Sequence, residues 1–135
     1  MNNIFQNINV MTKALNASWK RNEVISSNIA NVNTPNYKKA SVEFESLLQS
    51  FLKTDSVAGK TTHQKHIPIG IRSLNELDYR INTQKDFMTR RDGNNVDIDV
   101  EMGELSKNII NYNTISTQMN NSFKRLRSAI NEGRG

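Results

Sequence analysis

Few residues in this chain have the types and spacing that carry protein chemistry. There is no cysteine, which removes disulfides, thiolate zinc sites and cysteine nucleophiles together. The two histidines, His63 and His66, stand three apart in a polar stretch with no carboxylate or thiolate partners at metal-ligand spacing. Asp97, Glu101 and Glu104 can share one helix face at i, i+4 and i+7, yet no EF-hand loop accompanies them. Acidic residues there serve equally to complement the positive end of a helix dipole. No glycine-rich phosphate loop, nucleophile elbow or Ser/His/Asp constellation appears in a recognisable context. The expectation is a protein that is not an enzyme, with no cofactor, no metal and no catalytic substrate.

Charge narrows the choice further. The 18 Lys and Arg exceed the 13 Asp and Glu by 18 − 13 = 5, and the basic pairs Lys38-Lys39, Arg90-Arg91 and Lys124-Arg125 are scattered. A nucleic-acid footprint would cluster on one face with aromatics between its cations, so no nucleic-acid partner is expected. At 135 residues the chain is one domain by length, and a hydrophobic fraction of 36% predicts a modest core. The opening MNNIFQNINV has no basic residue and no apolar run of secretory length, so a cleaved signal peptide is not expected. Nor does any apolar run reach the ~18 residues needed to span a bilayer.

With little chemistry to position, the elements themselves carry the information. From the N-terminus Ile4, Ile8, Met11, Leu15, Ser18, Asn22, Ile25, Ile29 and Val32 recur at alternating steps of four and three, a heptad seam with two polar members. Near the C-terminus Ile98, Met102, Leu105, Ile109, Tyr112, Ser116, Met119, Phe123, Leu126 and Ile130 repeat the pattern. Acidic residues from Asp97 to Glu104 and basic ones from Lys124 to Arg127, ahead of Gly133, predict one helix from about Asp97 to Asn131. The fold class expected is mainly α: paired long N- and C-terminal helices forming an antiparallel-type coiled coil, with a loop-rich middle that can hold short β elements. Phe5, Trp19, Ile110 and Ile115 lie off the two seams, so both helices carry apolar groups on more than one side. Surplus faces of this kind mark interaction surfaces, and self-association is expected.

The organisation follows from these patterns. Residues 1–33 form the N-terminal helix of the coiled-coil core, 34–53 a turn and short amphipathic segment, 54–95 a loop-rich and partly disordered middle, and 96–135 the C-terminal helix. In the middle, IPIGI at 67–71 is β-branched and broken by Pro68 and Gly70, which predicts an edge strand. Asp92-Gly93 followed by two asparagines predicts a turn directly before the last helix. Where the first helix ends, Asn28, Asn31 and Asn33 suit a helix stop, and Thr34-Pro35 forbids its continuation. Pro35 at the second position of a type II turn demands positive φ at Asn36.

The stretch SNIANVNTPNYK, taken with the two seams and with DGNNVDIDVEMGELSKNIINYN, closely resembles the signature of bacterial flagellar axial proteins of the rod and hook family. The resemblance covers roughly residues 10 to 50 and 90 to 133 and leaves the middle unassigned. It makes Asn31, Thr34, Pro35, Asn36 and Tyr37 the signature turn, with Asn36 standing where the family usually has glycine. It implies a structural subunit of the basal-body rod that packs its terminal helices around a central export channel and transmits torque. The partners implied are other rod subunits, further copies of the chain itself, the ring-to-rod adaptor protein and the flagellar type III export gate. The location implied is the rod crossing the periplasm, reached without a cleaved signal. Phe44-Glu-Ser-Leu-Leu48 resembles the short export-gate recognition segment of early substrates, with Phe44, Leu47 and Leu48 as its apolar members; the same residues also make an amphipathic turn that packs on the helices. A different class of function using the same seams is a helical adaptor or secretion chaperone in the cytoplasm.

Overall fold

The computed structural model describes residues 2–56, 74, 76–84 and 91–133. The histidines, the IPIGI stretch at 67–71 and most of 54–66 lie outside the described residues. Two long helices dominate, α1 (Asn2–Ala30) and α3 (Ile98–Glu132), of 29 and 35 residues. At 1.5 Å rise per residue they are roughly 43 and 52 Å long. Between them come β1 (Ala40–Glu43), α2 (Glu45–Ser56) and β2 (Arg80–Thr83). The two strands thus fall on either side of the segment at 67–71 where the sequence predicts one.

The helix ends follow local chemistry. Asp97 caps α3 by accepting hydrogen bonds from the Asp99 N–H at 3.0 Å and the Val100 N–H at 3.3 Å, which satisfies two of the free donors of the first turn. At the other end the Gly133 N–H closes on the Ala129 carbonyl at 3.2 Å. In α1 the Asn31 N–H is shared between the Ser27 and Asn28 carbonyls, both at 3.1 Å, and the chain then tightens through turn bonds until Pro35 ends any helical continuation.

The long helices run antiparallel, because Asn28 meets Glu101 while Ser18, ten residues earlier, meets Asn108, seven residues later. The strands pair antiparallel with Ala40 opposite Thr83 and Glu43 opposite Arg80. Val42 points inward and is buried, whereas every residue of β2 is exposed. Gln84 N–H donates to the Lys39 carbonyl at 3.0 Å, so the groups of 39, 41 and 43 face β2 and those of 40 and 42 face α1. That free edge is sealed by side chains: Asn28 both donates to the Ala40 carbonyl at 2.8 Å and accepts its N–H at 3.1 Å, and Arg21 takes the Val42 carbonyl at 3.2 Å. An asparagine amide thereby stands in for a neighbouring strand and blunts a pairing edge.

The apolar core is small and lies to one side of the helix pair. Ala17, Phe44 and Leu77 are its buried members, with Ala14, Leu47, Leu48, Phe51, Leu74 and Tyr79 packed against them. It joins the middle of α1 to α2 and to the segment before β2. The α1–α3 contact, by contrast, is largely polar where it is most buried: Ser18, Asn28, Glu101, Asn108 and Ser122 are all buried.

Candidate functional site

Two features concentrate the residues singled out by the sequence: a polar latch where α1 meets the start of α3, and an exposed stripe along α3. The latch begins at Asn94, fully buried, whose side-chain amide donates to three carbonyls at the end of α1: Asn31 and Val32 at 3.0 Å and Thr34 at 2.9 Å. Its Oδ1 accepts from the Val96 N–H at 2.8 Å. One side chain from 60 residues downstream thus gathers the carbonyls of the turn that follows α1, two of which also accept turn bonds from the Thr34 and Tyr37 N–H groups. Asn95 repeats the arrangement on the strand side, accepting from the Lys39 N–H at 2.7 Å and donating to the Gln84 carbonyl at 3.2 Å.

The signature turn closes the same corner. Tyr37 N–H bonds the Thr34 carbonyl at 3.3 Å, and Asn36 has φ +61°, as a type II turn with proline at its second position requires. Asn36 N–H reaches the Asp92 carbonyl at 2.9 Å. Opposite it, Gly93 has φ +76°, and a Cβ there would lie 2.6 Å from Asn36 Oδ1. The asparagine side chain therefore occupies the space that the glycine leaves, and the two left-handed residues interlock. Lys38 Nζ adds a bond to the Gly93 carbonyl at 2.6 Å.

Inside the corner sits a buried carboxylate. Glu101 is 1% exposed and accepts from Asn28 Nδ2 at 2.9 Å. Lys39 Nζ lies 2.5 Å from its other oxygen, a charge contact without the alignment of a hydrogen bond. Tyr37 donates to Asn28 Oδ1 at 3.2 Å, so Asn28 spans signature turn, strand edge and α3 at once. A buried charge is tolerated only with such partners. A groove of about 480 Å³ beside it is lined by Arg21, Lys39, Lys107, Glu45, Glu101 and Glu104 among others, so charges of both signs face one another across it. Among the described residues no group of three or more His, Asp or Glu is arranged to hold a metal.

Two further carboxylates flank β1. Hydrogen bonds from Ser46 at 2.6 Å and Asn82 at 2.8 Å hold the Glu43 carboxyl below its ordinary value. For Glu45 burial is the largest influence and pushes upward, but the hydrogen bond from Arg21 at 2.6 Å, the Arg21 charge and backbone N–H donors together outweigh it, and the carboxyl also titrates low.

The seam residues separate into two groups. In α1, Ile25 is buried and Ile8, Met11, Leu15 and Ile29 are half-buried, while Ile4 near the open end is 45% exposed. In α3, Leu105, Met119 and Leu126 are half-buried against the subunit, but Ile98, Met102, Ile109, Tyr112, Phe123 and Ile130 are exposed, several of them by about half. The face that α3 turns inward instead carries Glu101, Asn108 and Ser122, each one residue before a seam position. The polar partners explain this rotation. Glu101 must reach Lys39 and Asn28, and Asn108 must reach the Ser18 carbonyl at 2.9 Å, so these bonds fix the helix about its axis. Two-thirds of the apolar seam of α3 is left facing outward as a stripe, with 102, 109, 123 and 130 spaced by multiples of seven.

Phe44, Leu47 and Leu48 lie inside the small core, Phe44 at 3% exposure, and the Leu48 N–H bonds the Phe44 carbonyl at 2.8 Å. Sequence reasoning placed Glu101 among the acidic residues at the start of the last helix and Asn94 in the turn before it, and missed the buried bonds that each makes. Nothing at helix or turn spacing distinguishes them, since their partners are 60 or more residues away.

The model of a family described as "Flagella basal body rod protein" matches residues 8–38, which take in most of α1 and the signature turn. The flagellar basal body rod protein FlgB of Bacillus subtilis is 34% identical over 92% of this chain and 92% of its own length. FlgB of Aquifex aeolicus is 34% identical over 82% of both chains, and FlgB of Escherichia coli 31% identical over 90% of both. The matches run through the latch and α3 as well as the signature turn, and the chain belongs to the FlgB family of flagellar basal body rod proteins.

Proposed function

We propose that this chain is a structural subunit of the proximal rod of the bacterial flagellum, assembling by helix packing around the axial export channel and transmitting torque. The observation that carries the reading is the outward stripe of α3. Ile98, Met102, Ile109, Phe123 and Ile130 are between 46% and 59% exposed on a helix otherwise held in place by polar bonds. Apolar surface in a line of this length needs a covering partner, and a neighbouring helix with a matching repeat provides one by knobs-into-holes packing. The latch supplies what a load-bearing unit requires, a fixed angle between α1 and the strand pair.

Neighbouring rod subunits, further copies of the chain, the ring-to-rod adaptor and the export gate are the partners of this reading. Phe44, Leu47 and Leu48 are buried in the folded subunit, so recognition at the export gate belongs to the unfolded chain during secretion and packing to the assembled state. Among the described residues no helix is long and apolar enough to cross a membrane, and the reading places the subunit in the rod across the periplasm. The role in this reading is mechanical, in keeping with relatives named as rod proteins. A cytoplasmic adaptor or chaperone is the less favoured alternative, because the relatives are rod proteins along nearly their whole length. Fractionation separates the two: detergent-extracted, salt-washed basal bodies should retain the chain, and a wholly cytosolic pool would overturn the rod assignment.

A further inference from the structure

Halfway along the helix pair lies a notch of about 120 Å³ lined by Ser18, Trp19, Asn22, Asn108, Ile109 and Tyr112. We infer that this notch receives the guanidinium of Arg127 from a second copy of the chain; the inference rests on the rod reading and names one contact within it.

The notch is chemically incomplete within one subunit. Asn22 Oδ1 and Asn108 Oδ1 are buried with no hydrogen-bond partner, and Asn108 as a whole is only 3% exposed. Two buried acceptors without donors are costly, and a ligand that brings N–H groups relieves both. The rim has the opposite character: Trp19 is 67% exposed, Ile109 47% and Tyr112 38%. An occupant must therefore pair N–H donors at its tip with a body that lies on aromatic and aliphatic surface. Arginine does both, because its guanidinium carries several donors in a fixed fork and stacks on an indole face.

The chain holds such a group in surplus. Among the described helix cations, Lys20, Arg21 and Lys107 have acidic partners, Arg125 bonds Ser122, and Lys13 and Lys53 also interact, whereas Lys124 and Arg127 are exposed with no partner among the described residues. Of these two, Arg127 is four residues after Phe123 and three before Ile130, so it is their neighbour on the helix surface and is carried into any contact that covers the stripe. Lys124, one residue after Phe123, faces away from it. Donor and notch are 18 residues apart on one helix, about 27 Å, so each copy can give at its end and receive at its middle, and the contact can repeat.

Trp19 is the only tryptophan in the chain, so its fluorescence reports the notch directly. The full-length chain is titrated over concentration, with oligomer size read by sedimentation and Trp19 emission in parallel. A blue shift that grows with oligomer fraction is expected. Arg127→Met, which keeps the apolar stem, should abolish that shift and weaken association by about tenfold or more. Arg127→Lys should restore part of it and Lys124→Met should change neither, with circular dichroism checking that each variant is folded. Oligomers that leave Trp19 emission unchanged, an Arg127→Met variant that shifts like the parent, or a chain that is monomeric at every concentration would overturn the contact. Recovery of that same chain in basal bodies would then leave the rod reading standing, and its absence there would remove both.

Discussion

Replacing Asn94 by aspartate changes one atom type and almost no volume, and it should be among the most damaging single substitutions in the chain. The Asn94 amide nitrogen lies 2.9 to 3.0 Å from three carbonyl oxygens at the end of α1. Aspartate has no N–H to give, so those carbonyls lose the amide donor, Asn31 and Thr34 keeping only their turn bonds, and a carboxylate oxygen takes its place at the same distances. Each lost bond is worth about 1 kcal/mol net, and a buried charge facing acceptors adds a desolvation and repulsion cost, so the total is about 3 to 5 kcal/mol. Alanine removes the same bonds without adding charge and should cost about 2 to 3 kcal/mol. A domain of this length is stable by about 7 to 20 kcal/mol, so either loss is measurable by urea unfolding followed by far-ultraviolet circular dichroism. Burial raises the aspartate pKa in the folded state, so the deficit of the Asp variant should shrink as pH falls from neutrality toward about 4, where the unfolded carboxylate also protonates, while that of the Ala variant should not. If aspartate is tolerated as well as asparagine, or alanine costs more than aspartate, the donor role of Asn94 is wrong.

Four other expectations are independent of that one. Gly93→Ala should cost about 1 to 3 kcal/mol, because its Cβ meets Asn36 Oδ1 and its φ is +76°, and combining it with Asn36→Gly should recover part of the loss in a double-mutant cycle. Phe44→Ala should lower stability by about 3 kcal/mol as a core truncation, and a drop in secretion larger than that of an equally destabilised Leu77→Ala variant would mark a separate export role. Glu43 and Glu45 titrate low in the folded state, so they contribute stability that is complete above their ordinary carboxylate values and is lost as pH falls below about 4.5. Arg21→Met should reduce that acid sensitivity in unfolding curves by removing the partner of Glu45, a solvent-screened pair worth about 1 kcal/mol or less.

What could be read in advance divides along a physical line. Elements set by local spacing were legible: both long helices, the helix stop at Asn31 to Pro35, the positive φ of Asn36 and the acidic cap of α3 are all i to i+4 relations. The rotation of α3 was not, because it depends on Glu101 and Asn108 finding Asn28, Lys39 and Ser18 across the pair, and a lone sequence carries no record of which polar residues meet. The strand pair escaped for a similar reason. ASVE and RINT are too short to signal by alternation, and β1 is held on one edge by an asparagine side chain. Phe44 illustrates a third case, where one apolar residue satisfies a core and an export motif by the same chemistry. Its burial describes the folded state and leaves its part in secretion to be measured.

The account stands on the claim that the outward stripe of α3 is an assembly surface with no part in holding the subunit together. Ile109→Asp and Phe123→Asp test it most directly, since both residues are 47% exposed in the subunit. The purified variants should unfold within about 0.5 kcal/mol of the parent, while basal bodies from cells carrying them should lack the chain and the cells should not swim. Variants that enter basal bodies at parental levels and support normal swimming would contradict the account.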